Sequence, residues 1–353
     1  RYTSASPSVE EIKSIVNMSW EDISKQVDTV RTYHGFSLAQ ISANPQLDIQ
    51  PTDMFETLKI RNLITGDLRQ YPLRQIFWYH HKTSEKIIAN LTTSGSAGGF
   101  TPEDATLGAL YEAIERDSFF CYWLTGTSPD ILYPQKGQIP EYDSLQKLLS
   151  EIGYEIFLLD TTTNLQVPSV VALIKHTSTN SLVISGGADI SMASAIVKAV
   201  NECRSCLASI HYMADYTLEE SYTPFIDKGI YRSERLSLAK TGAYFERYKF
   251  LLEGKTKDLE KAPQIYMSTE IEIKQVTDRL LQNGVPEIFT YEYQNDLLEK
   301  LGYHVCRIIA PKLYQLYLNE NLAMTDSTRL REFNKWKMGT EDFIINNFPH
   351  PFP

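Results

Sequence analysis

Long apolar runs are absent from this sequence, and cysteines are few. No stretch of about 18 consecutive apolar residues occurs, so the sequence predicts neither a membrane-spanning helix nor a membrane partner. The first residues are polar and mixed, and they show no secretory signal. The four cysteines do not form the dense framework of a disulfide-stabilised extracellular protein. We therefore expect a protein of the cytoplasm.

Clusters of basic residues are also missing. The net charge is −10, and no run of lysine and arginine is longer than two residues. Binding to nucleic acid depends on neutralising phosphates with clustered bases, so we expect no nucleic-acid partner. A single nucleotide needs only a few local groups, and the acidic balance does not exclude one.

The cysteine and histidine pattern does not support a zinc site. Cys203 and Cys206 form one C-x-x-C, whereas zinc needs four ligands, and neither a second C-x-x-C nor an H-x-x-x-H is present. Helical spacing places Cys203 on the buried side of a long helix predicted over residues 189–213. A thioredoxin-like pair lies at the start of a helix rather than inside it, so plain packing is the favoured interpretation.

The most informative stretch runs from Thr92 to Trp123. A glycine-rich loop, SGSAGG at residues 94–99, is predicted to turn directly into a helix. Thr101 suits the N-cap and Pro102 the first helical position, and the acidic residues that follow complement the helix dipole. Residues at helical spacing mark the buried stripe of this helix: Leu107, Leu110, Tyr111, Ile114, Ser118 and Cys121.

One flank of the same helix carries two carboxylates. Glu112 and Glu115 are neighbours at helical spacing, and Gly108 lies one turn earlier, where it would leave room for a ligand. Arg116 follows four residues after Glu112. Oxygen ligands suit Mg²⁺ and backbone amides near a helix start suit phosphate, so the flank fits a metal and polyphosphate site. A solvated acidic face with a Glu112–Arg116 ion pair is the alternative.

Hydrophobic patterns and turn residues predict the other elements. The predicted helices span residues 7–30 (as one or two helices), 144–152, 189–213 and 271–282. The predicted strands span residues 58–63 and 69–79, joined as a hairpin by the turn at 65–67, and residues 84–89, 156–160, 169–175, 182–185 and 303–309.

Several of these features resemble the YcaO superfamily. The glycine loop followed by Glu112-Ala-Ile-Glu115-Arg116-Asp117 is similar to the family's loop and its helix ending Glu-x-x-Glu-Arg-Asp. The other similar segments are LDTTTNLQVPSVVALI at 159–174, a Gly186-Gly187-Ala188-Asp189 turn opening the helix that carries Glu202, CRIIAP at 306–311, and Pro349-His-Pro351-Phe-Pro353. The proline-rich end is similar to the azoline-forming branch, in particular the cyclodehydratase subunit of microcin-type thiazole/oxazole synthetases.

The resemblance implies an α+β (mixed α/β) fold, with mixed sheets flanked by long helices and a nucleotide site between them. We expect a single YcaO-like catalytic domain over residues 1–353 that ends in a proline-rich tail at residues 344–353. Arg1-Tyr2-Thr3 is similar to the end of a family helix. The N-terminal part of the domain, including a first glutamate pair, is therefore expected to lie outside this numbering.

The resemblance also implies roles for individual residues. Glu112 and Glu115 are expected to bind Mg²⁺, and Arg116 and Pro353 are expected to be catalytic, Pro353 through its terminal carboxylate. The expected ATP-binding residues are Ser94, Gly95, Glu115, Glu202 and Arg307. For Arg307, Glu202 and the tail, a structural role is the alternative to the functional one. Arg307 would be a snorkelling residue of an edge strand, Glu202 a surface glutamate and the tail a frayed terminus.

The implied activity is ATP-dependent cyclodehydration. A Cys, Ser or Thr of a ribosomal precursor peptide becomes thiazoline or oxazoline through phosphorylation of the backbone amide oxygen. ATP-dependent peptide thioamidation and a non-catalytic scaffold subunit of a synthetase are the alternatives. We expect a heteromeric, oligomeric assembly, because no leader-peptide-binding module is visible in the chain. Its partners would be a leader-peptide-binding scaffold subunit and an FMN-dependent azoline dehydrogenase.

Overall fold

The computed structural model describes Pro7 and residues 9–27, 35–78, 84–210, 212–227, 232–260 and 267–353. The chain forms two compact units. The first comprises Arg1–Ala113 and Met267–Glu332, and the second comprises Ile114–Tyr266 and Phe333–Pro353. No helix within the described ranges combines the length and apolar character that crossing a bilayer requires.

Helices and strands alternate along the described residues, which confirms the predicted mixed α/β class. In chain order the strands are β1 (Val16–Ser19), β2 (Met54–Asn62), β3 (Leu68–Pro72), β4 (Ser96–Gly99), β5 (Asp130–Tyr133), β6 (Tyr154–Asp160), β7 (Ser169–His176), β8 (Leu182–Ala188), β9 (Thr256–Asp258), β10 (Phe289–Glu292) and β11 (His304–Ile309). The α-helices are α1 (Val9–Lys13), α2 (Trp20–Gln26), α3 (Leu38–Ala43), α4 (Leu73–Ile76), α5 (Pro102–Thr125), α6 (Pro140–Glu151), α7 (Met192–Ile210), α8 (Arg232–Lys240), α9 (Phe245–Tyr248), α10 (Thr269–Gln282), α11 (Asp296–Leu301) and α12 (Thr328–Met338).

The first unit is built on an antiparallel sheet with the order β1-β2-β10-β11-β4, in which β3 also pairs with β2. The β2–β3 hairpin was predicted, and its turn holds Gly66 at φ +77°. The second strand of the hairpin ends at Pro72, earlier than expected, because α4 begins at the next residue. The continuous helical pattern predicted over residues 7–30 is wrong at 16–19, where β1 pairs with β2.

The strand predicted at residues 84–89 is also wrong. The carbonyl oxygens of Glu85 and Lys86 accept hydrogen bonds from the buried guanidinium of Arg74, at 3.3 and 2.6 Å. The amide of Ile87 donates to the carbonyl of Gln46 at 2.8 Å. These three backbone groups have partners without a strand ladder, and Ile88 and Ala89 are buried in a loop.

The second unit contains a five-stranded sheet with the order β8-β7-β6-β5-β9. Neighbouring strands are antiparallel from β8 to β5, and β9 runs parallel to β5. The strands predicted at 156–160, 169–175 and 182–185 are confirmed within β6, β7 and β8. Side chains of α6 and α7 pack with these strands in one core, which includes Leu149, Leu158, Ile174, Ile196 and Val200.

Candidate functional site

Helix α5 begins where its capping residues place it. The Thr101 hydroxyl accepts a hydrogen bond from the amide of Asp104 at 3.0 Å, as an N-cap residue does. The predicted stripe is buried from Leu110 onward, while Leu107 is half-buried. From Arg116 to Thr125 every residue of the helix is buried, so this half has no solvated face.

The glycine-rich segment before α5 is a strand rather than a loop over residues 96–99, which corrects the prediction. Strand β4 pairs with β11, with Ser96 opposite Arg307 and Gly99 opposite His304. Gly95 precedes the strand at φ +76°, and its carbonyl accepts a hydrogen bond from the Ile308 amide at 2.7 Å. A Cβ at Gly95 would lie 2.7 Å from the Ile308 oxygen, so only glycine suits the position.

Gly108 packs against β4, and its role in leaving room for a ligand stays a prediction. A Cβ at this position would lie 3.0 Å from the Cβ of Ala97 in β4. The missing side chain therefore lets α5 lie close against β4 within the first unit.

Ser94, Gly95 and Arg307 come together in the first unit, around Thr92. Arg307 is 3% exposed, and its Nη1 donates to the Thr92 carbonyl at 2.8 Å. The Ser94 amide donates to the Thr92 hydroxyl at 3.2 Å. Strand β11 lies between β10 and β4, so the interpretation of Arg307 as a snorkelling edge residue is wrong.

Glu115 and Arg116 lie in the second unit, where both are shielded from solvent. Their side chains are 12% and 10% exposed, and Glu115 Oε1 lies 3.7 Å from Arg116 Nη1. Glu112, on the part of α5 that belongs to the first unit, is half-buried. The solvated acidic face considered from the sequence is therefore wrong for Glu115. A shielded carboxylate beside a guanidinium keeps its electrostatic effect because little water screens it.

The C-terminal tail is packed, not frayed. Every residue from Phe348 to Pro353 is buried, and Phe352 is 0% exposed. Arg116 Nη1 lies 3.5 Å from the main-chain oxygen of Pro353 and donates to it. The guanidinium carbon of Arg116 lies 4.6 Å from the centre of the Phe352 ring. The tail thus places its last two residues on Arg116.

Gly186 and Gly187 lie inside β8, not in the turn that the sequence predicted. Successive strand residues face opposite sides of a sheet. A Cβ at Gly187 would lie 2.6 Å from the Ala199 amide of α7, whereas a Cβ at Gly186 would lie 2.7 Å from Glu115 Cγ and 2.7 Å from Phe352 Cζ. One glycine admits the helix, and the other admits Glu115 and the tail.

Glu202 and Cys203 are adjacent on α7 but differ in exposure. Glu202 is exposed, and its predicted place at the nucleotide stays a prediction. Cys203 is 0% exposed, its Sγ donates to the Ala172 carbonyl at 3.4 Å, and burial raises the pKa of the thiol. The interpretation of Cys203 as a core residue is confirmed.

Oxygen ligands for Mg²⁺ are present on α5, although no group of three or more acidic, histidine or cysteine side chains that could hold a metal forms among the described residues. Mg²⁺ keeps several waters and is commonly bound by one or two carboxylates together with substrate phosphates. Glu115, shielded from solvent in the second unit, fits such a site as one of its carboxylates. It does not fit a cage built of protein ligands alone.

Sequence reasoning missed two residues at this site, Gly186 and Phe352. A glycine pair inside an otherwise apolar strand indicates close approach of another backbone or side chain, and that signal was available. An aromatic residue between prolines at a chain end offered no comparable indication.

Residues 3–314 match the family model described as YcaO cyclodehydratase, ATP- and Mg²⁺-binding. Among curated proteins, no match is found. Similar solved structures include a heterocyclase in complex with substrate and cofactor, which is 18% identical over 100% of this chain and 47% of that chain, with a TM-score of 0.79.

Two further structures share the fold at lower similarity. YcaO from Methanopyrus kandleri bound with AMPPCP and Mg²⁺ is 16% identical over 73% of this chain and 64% of that chain, with a TM-score of 0.57. The E. coli microcin synthetase McbBCD complex with pro-MccB17 bound is 15% identical over 96% of this chain and 82% of that chain, with a TM-score of 0.57. The present chain spans about half the length of the heterocyclase chains that it matches.

Proposed function

Because the chain belongs to the YcaO cyclodehydratase family, whose members bind ATP and Mg²⁺, we propose that it is an ATP-dependent cyclodehydratase acting on a ribosomal precursor peptide. The observation that carries the proposal is the buried proline-rich tail, whose last two residues contact Arg116. The buried tail supports the resemblance of its sequence to the azoline-forming branch.

The proposed reaction overcomes a poor leaving group. The thiol or hydroxyl of a substrate Cys, Ser or Thr attacks the preceding amide carbon and opens the C=O double bond, so that the oxygen becomes an alkoxide. That oxygen attacks the γ-phosphate of ATP, and ADP leaves. The amide nitrogen then loses its proton, and a C=N bond forms as phosphate departs with the former amide oxygen. The product is a thiazoline or oxazoline, one water lighter than the substrate.

The glutamates of α5 have a defined part in this proposal. Glu112 and Glu115 would hold Mg²⁺, which when bound offsets the charge that develops on the transferring phosphoryl group. Arg116 binds a phosphate oxygen or orients Glu115, since a guanidinium makes strong charge-assisted hydrogen bonds to both. By family resemblance, the nucleotide contacts are Ser94, Gly95, Glu115, Glu202 and Arg307.

Pro353 handles protons in this proposal. A carboxylate at the main-chain end of this residue accepts the proton that the substrate side chain or amide nitrogen loses. Its contact with Arg116 supports the assignment, because the cation holds the oxygen in place. In a chain that ends at Pro353, adding one alanine would replace the carboxylate with an amide, and the rate of ring formation is expected to fall while nucleotide binding persists.

The proposed partners follow from the family resemblance. One similar structure is a microcin synthetase McbBCD complex with pro-MccB17 bound, which supports our proposal that a separate subunit binds the leader peptide and that the assembly is heteromeric. An FMN-dependent dehydrogenase would oxidise the azoline to an azole. This partner, the oligomeric state and a cytoplasmic location rest on the sequence and stay predictions.

Mass spectrometry of a candidate precursor peptide, combined with phosphate release, tests the proposed function. With ATP, Mg²⁺ and the leader-binding partner present, each ring is expected to cost the peptide one water and to release one phosphate. Replacement of oxygen by sulfur in a peptide bond would instead support thioamidation. Peptide processing that continues when the chain carries both Glu112→Gln and Glu115→Gln would support the scaffold alternative.

A further inference from the structure

The ring of Phe352 is enclosed by residues of α5 and β8. Its centre lies 4.6 Å from the Arg116 guanidinium carbon and 4.3 Å from the centre of the Phe119 ring. The side chain is 0% exposed. A cation over an aromatic face is held more strongly when water is excluded, so this ring restricts where the guanidinium can point.

Gly186 forms the opposite wall of the same enclosure. The carboxyl carbon of Glu115 would lie 2.8 Å from a Cβ at this position, and the far end of the Phe352 ring would lie 2.7 Å from it. Both side chains therefore occupy the space that any other residue would fill. The strand fixes Glu115 from one side while the ring fixes Arg116 from the other.

We propose that Gly186 and Phe352 are positioning residues that orient Glu115 and Arg116 for a Mg²⁺-nucleotide complex. The inference rests on the proposed function and extends it. The tail acts on the helix through an aromatic side chain, in addition to the proton transfer assigned to Pro353. Loss of the ring should consequently weaken nucleotide binding, a step that the terminal carboxylate does not govern.

Phe352→Leu in the full chain tests this role, because leucine keeps an apolar group in the pocket but has no π face. Calorimetric titration with Mg²⁺ and a non-hydrolysable ATP analogue is expected to show an affinity reduced roughly tenfold. Phe348→Leu is the matched control: Phe348 is buried in the same tail, and the centre of its ring lies 5.8 Å from the guanidinium carbon of Arg247. Its affinity should equal that of the parent chain.

Arg116→Gln separates positioning from general stabilisation. If Phe352 acts through the guanidinium, adding Phe352→Leu to Arg116→Gln should cause little further loss of affinity, since the partner of the ring is already gone. Equal losses in both backgrounds would overturn the proposed route through Arg116. Unchanged affinity of Phe352→Leu in the parent background would overturn the inference while leaving the proposed function intact. A parent chain that fails to bind the analogue would instead overturn the proposed function.

The two glycines of β8 provide the second comparison. Gly186→Ala and Gly187→Ala each add one methyl group where no room exists, but only position 186 faces Glu115. With folding checked by circular dichroism, Gly186→Ala should lose more affinity for the analogue than Gly187→Ala. Equal losses would overturn the role of Gly186, and if neither variant folds, the Phe352 comparison decides the inference.

Discussion

Glu115 and Arg116 occupy successive positions on α5 but have different neighbours. The carbon chain of Glu115 rests on the bare backbone of Gly186, and Arg116 lies over the ring of Phe352. Both side chains are largely shielded from solvent. A substitution that removes either charge is therefore expected to have a large effect, because little water is present to compensate for the lost charge.

Glu115→Gln is expected to lower Mg²⁺-dependent phosphate release by roughly a hundredfold or more, because it removes a charge and keeps the shape. The rate should be measured with saturating peptide and partner subunit. Glu141→Gln, on the exposed side of α6, is the control and should leave the rate unchanged. A Glu115→Gln chain with normal turnover would exclude this residue as a metal ligand.

The thiol of Cys306 makes the free energy of unfolding depend on pH. Burial raises the pKa of this thiol from its ordinary value of 9.0 to about 11. Below pH 9 the Cys306 thiol is protonated in both the folded and the unfolded chain. As pH rises above 9, the thiol loses its proton first in the unfolded chain. The free energy of unfolding should therefore fall as pH rises from 9 to 11, by about 2 kcal/mol from this group.

Urea unfolding across this pH range measures the effect. The difference in stability between the parent chain and Cys306→Ala should narrow as pH rises through 9. Cys206→Ala is the comparison, because it removes a thiol that is only half-buried. Parallel curves for the parent and Cys306→Ala would contradict the expectation.

At the scale of elements, the strand β4 depends on the glycine that precedes it. Gly95→Ala meets two penalties, a positive φ and a Cβ 2.7 Å from the Ile308 oxygen. Gly66→Ala meets only the first, since φ is +77° there and nothing lies within 4 Å. We expect Gly66→Ala to cost about 1 kcal/mol in the free energy of unfolding, and Gly95→Ala at least about 2 kcal/mol more. Equal costs in urea unfolding would show that the Ile308 contact relaxes freely.

The packed tail should contribute to the stability of the second unit. Phe352→Ala removes a fully buried ring and is expected to lower the free energy of unfolding by about 3 kcal/mol or more. Ile344→Ala, in the same segment but 91% exposed, should change it by less than about 0.5 kcal/mol. Thermal unfolding followed by circular dichroism measures both. Similar values for the two variants would mean that the tail is not docked in solution.

The elements that the sequence predicted correctly are those whose causes are local. The start of α5 depends on Thr101 and Asp104, three residues apart, and the β2–β3 hairpin on its own turn. Strand β4 was missed because its sequence, SAGG, has no apolar alternation, and its partner β11 lies about two hundred residues later in the chain. The enclosure of Glu115 needs α5, Gly186 and Phe352 together, and no local pattern relates these three segments. The family resemblance pointed to the acidic residues of α5, but it did not predict that Gly186 and Phe352 enclose Glu115.

At the scale of the whole molecule, the excess of acidic over basic residues determines how solubility depends on pH. The net charge is −10 at neutral pH, and the isoelectric point of the sequence is about 5.3. Repulsion between copies disappears near that pH, so solubility should pass through a minimum there and recover on either side. Turbidity measured between mildly acidic and neutral pH checks this. A minimum well above neutral pH would require a cationic partner bound to the chain.

Trp123 lies in the same aromatic core as the docked tail. Its indole stacks on Phe119, with ring centres 6.0 Å apart, and Phe119 in turn contacts Phe352. The indole is fully buried, whereas Trp336 is half exposed. Intrinsic tryptophan fluorescence should therefore report whether the tail is docked, and no attached dye is needed. Release of Phe352 would admit water towards Trp123 and shift the emission of its indole to longer wavelengths.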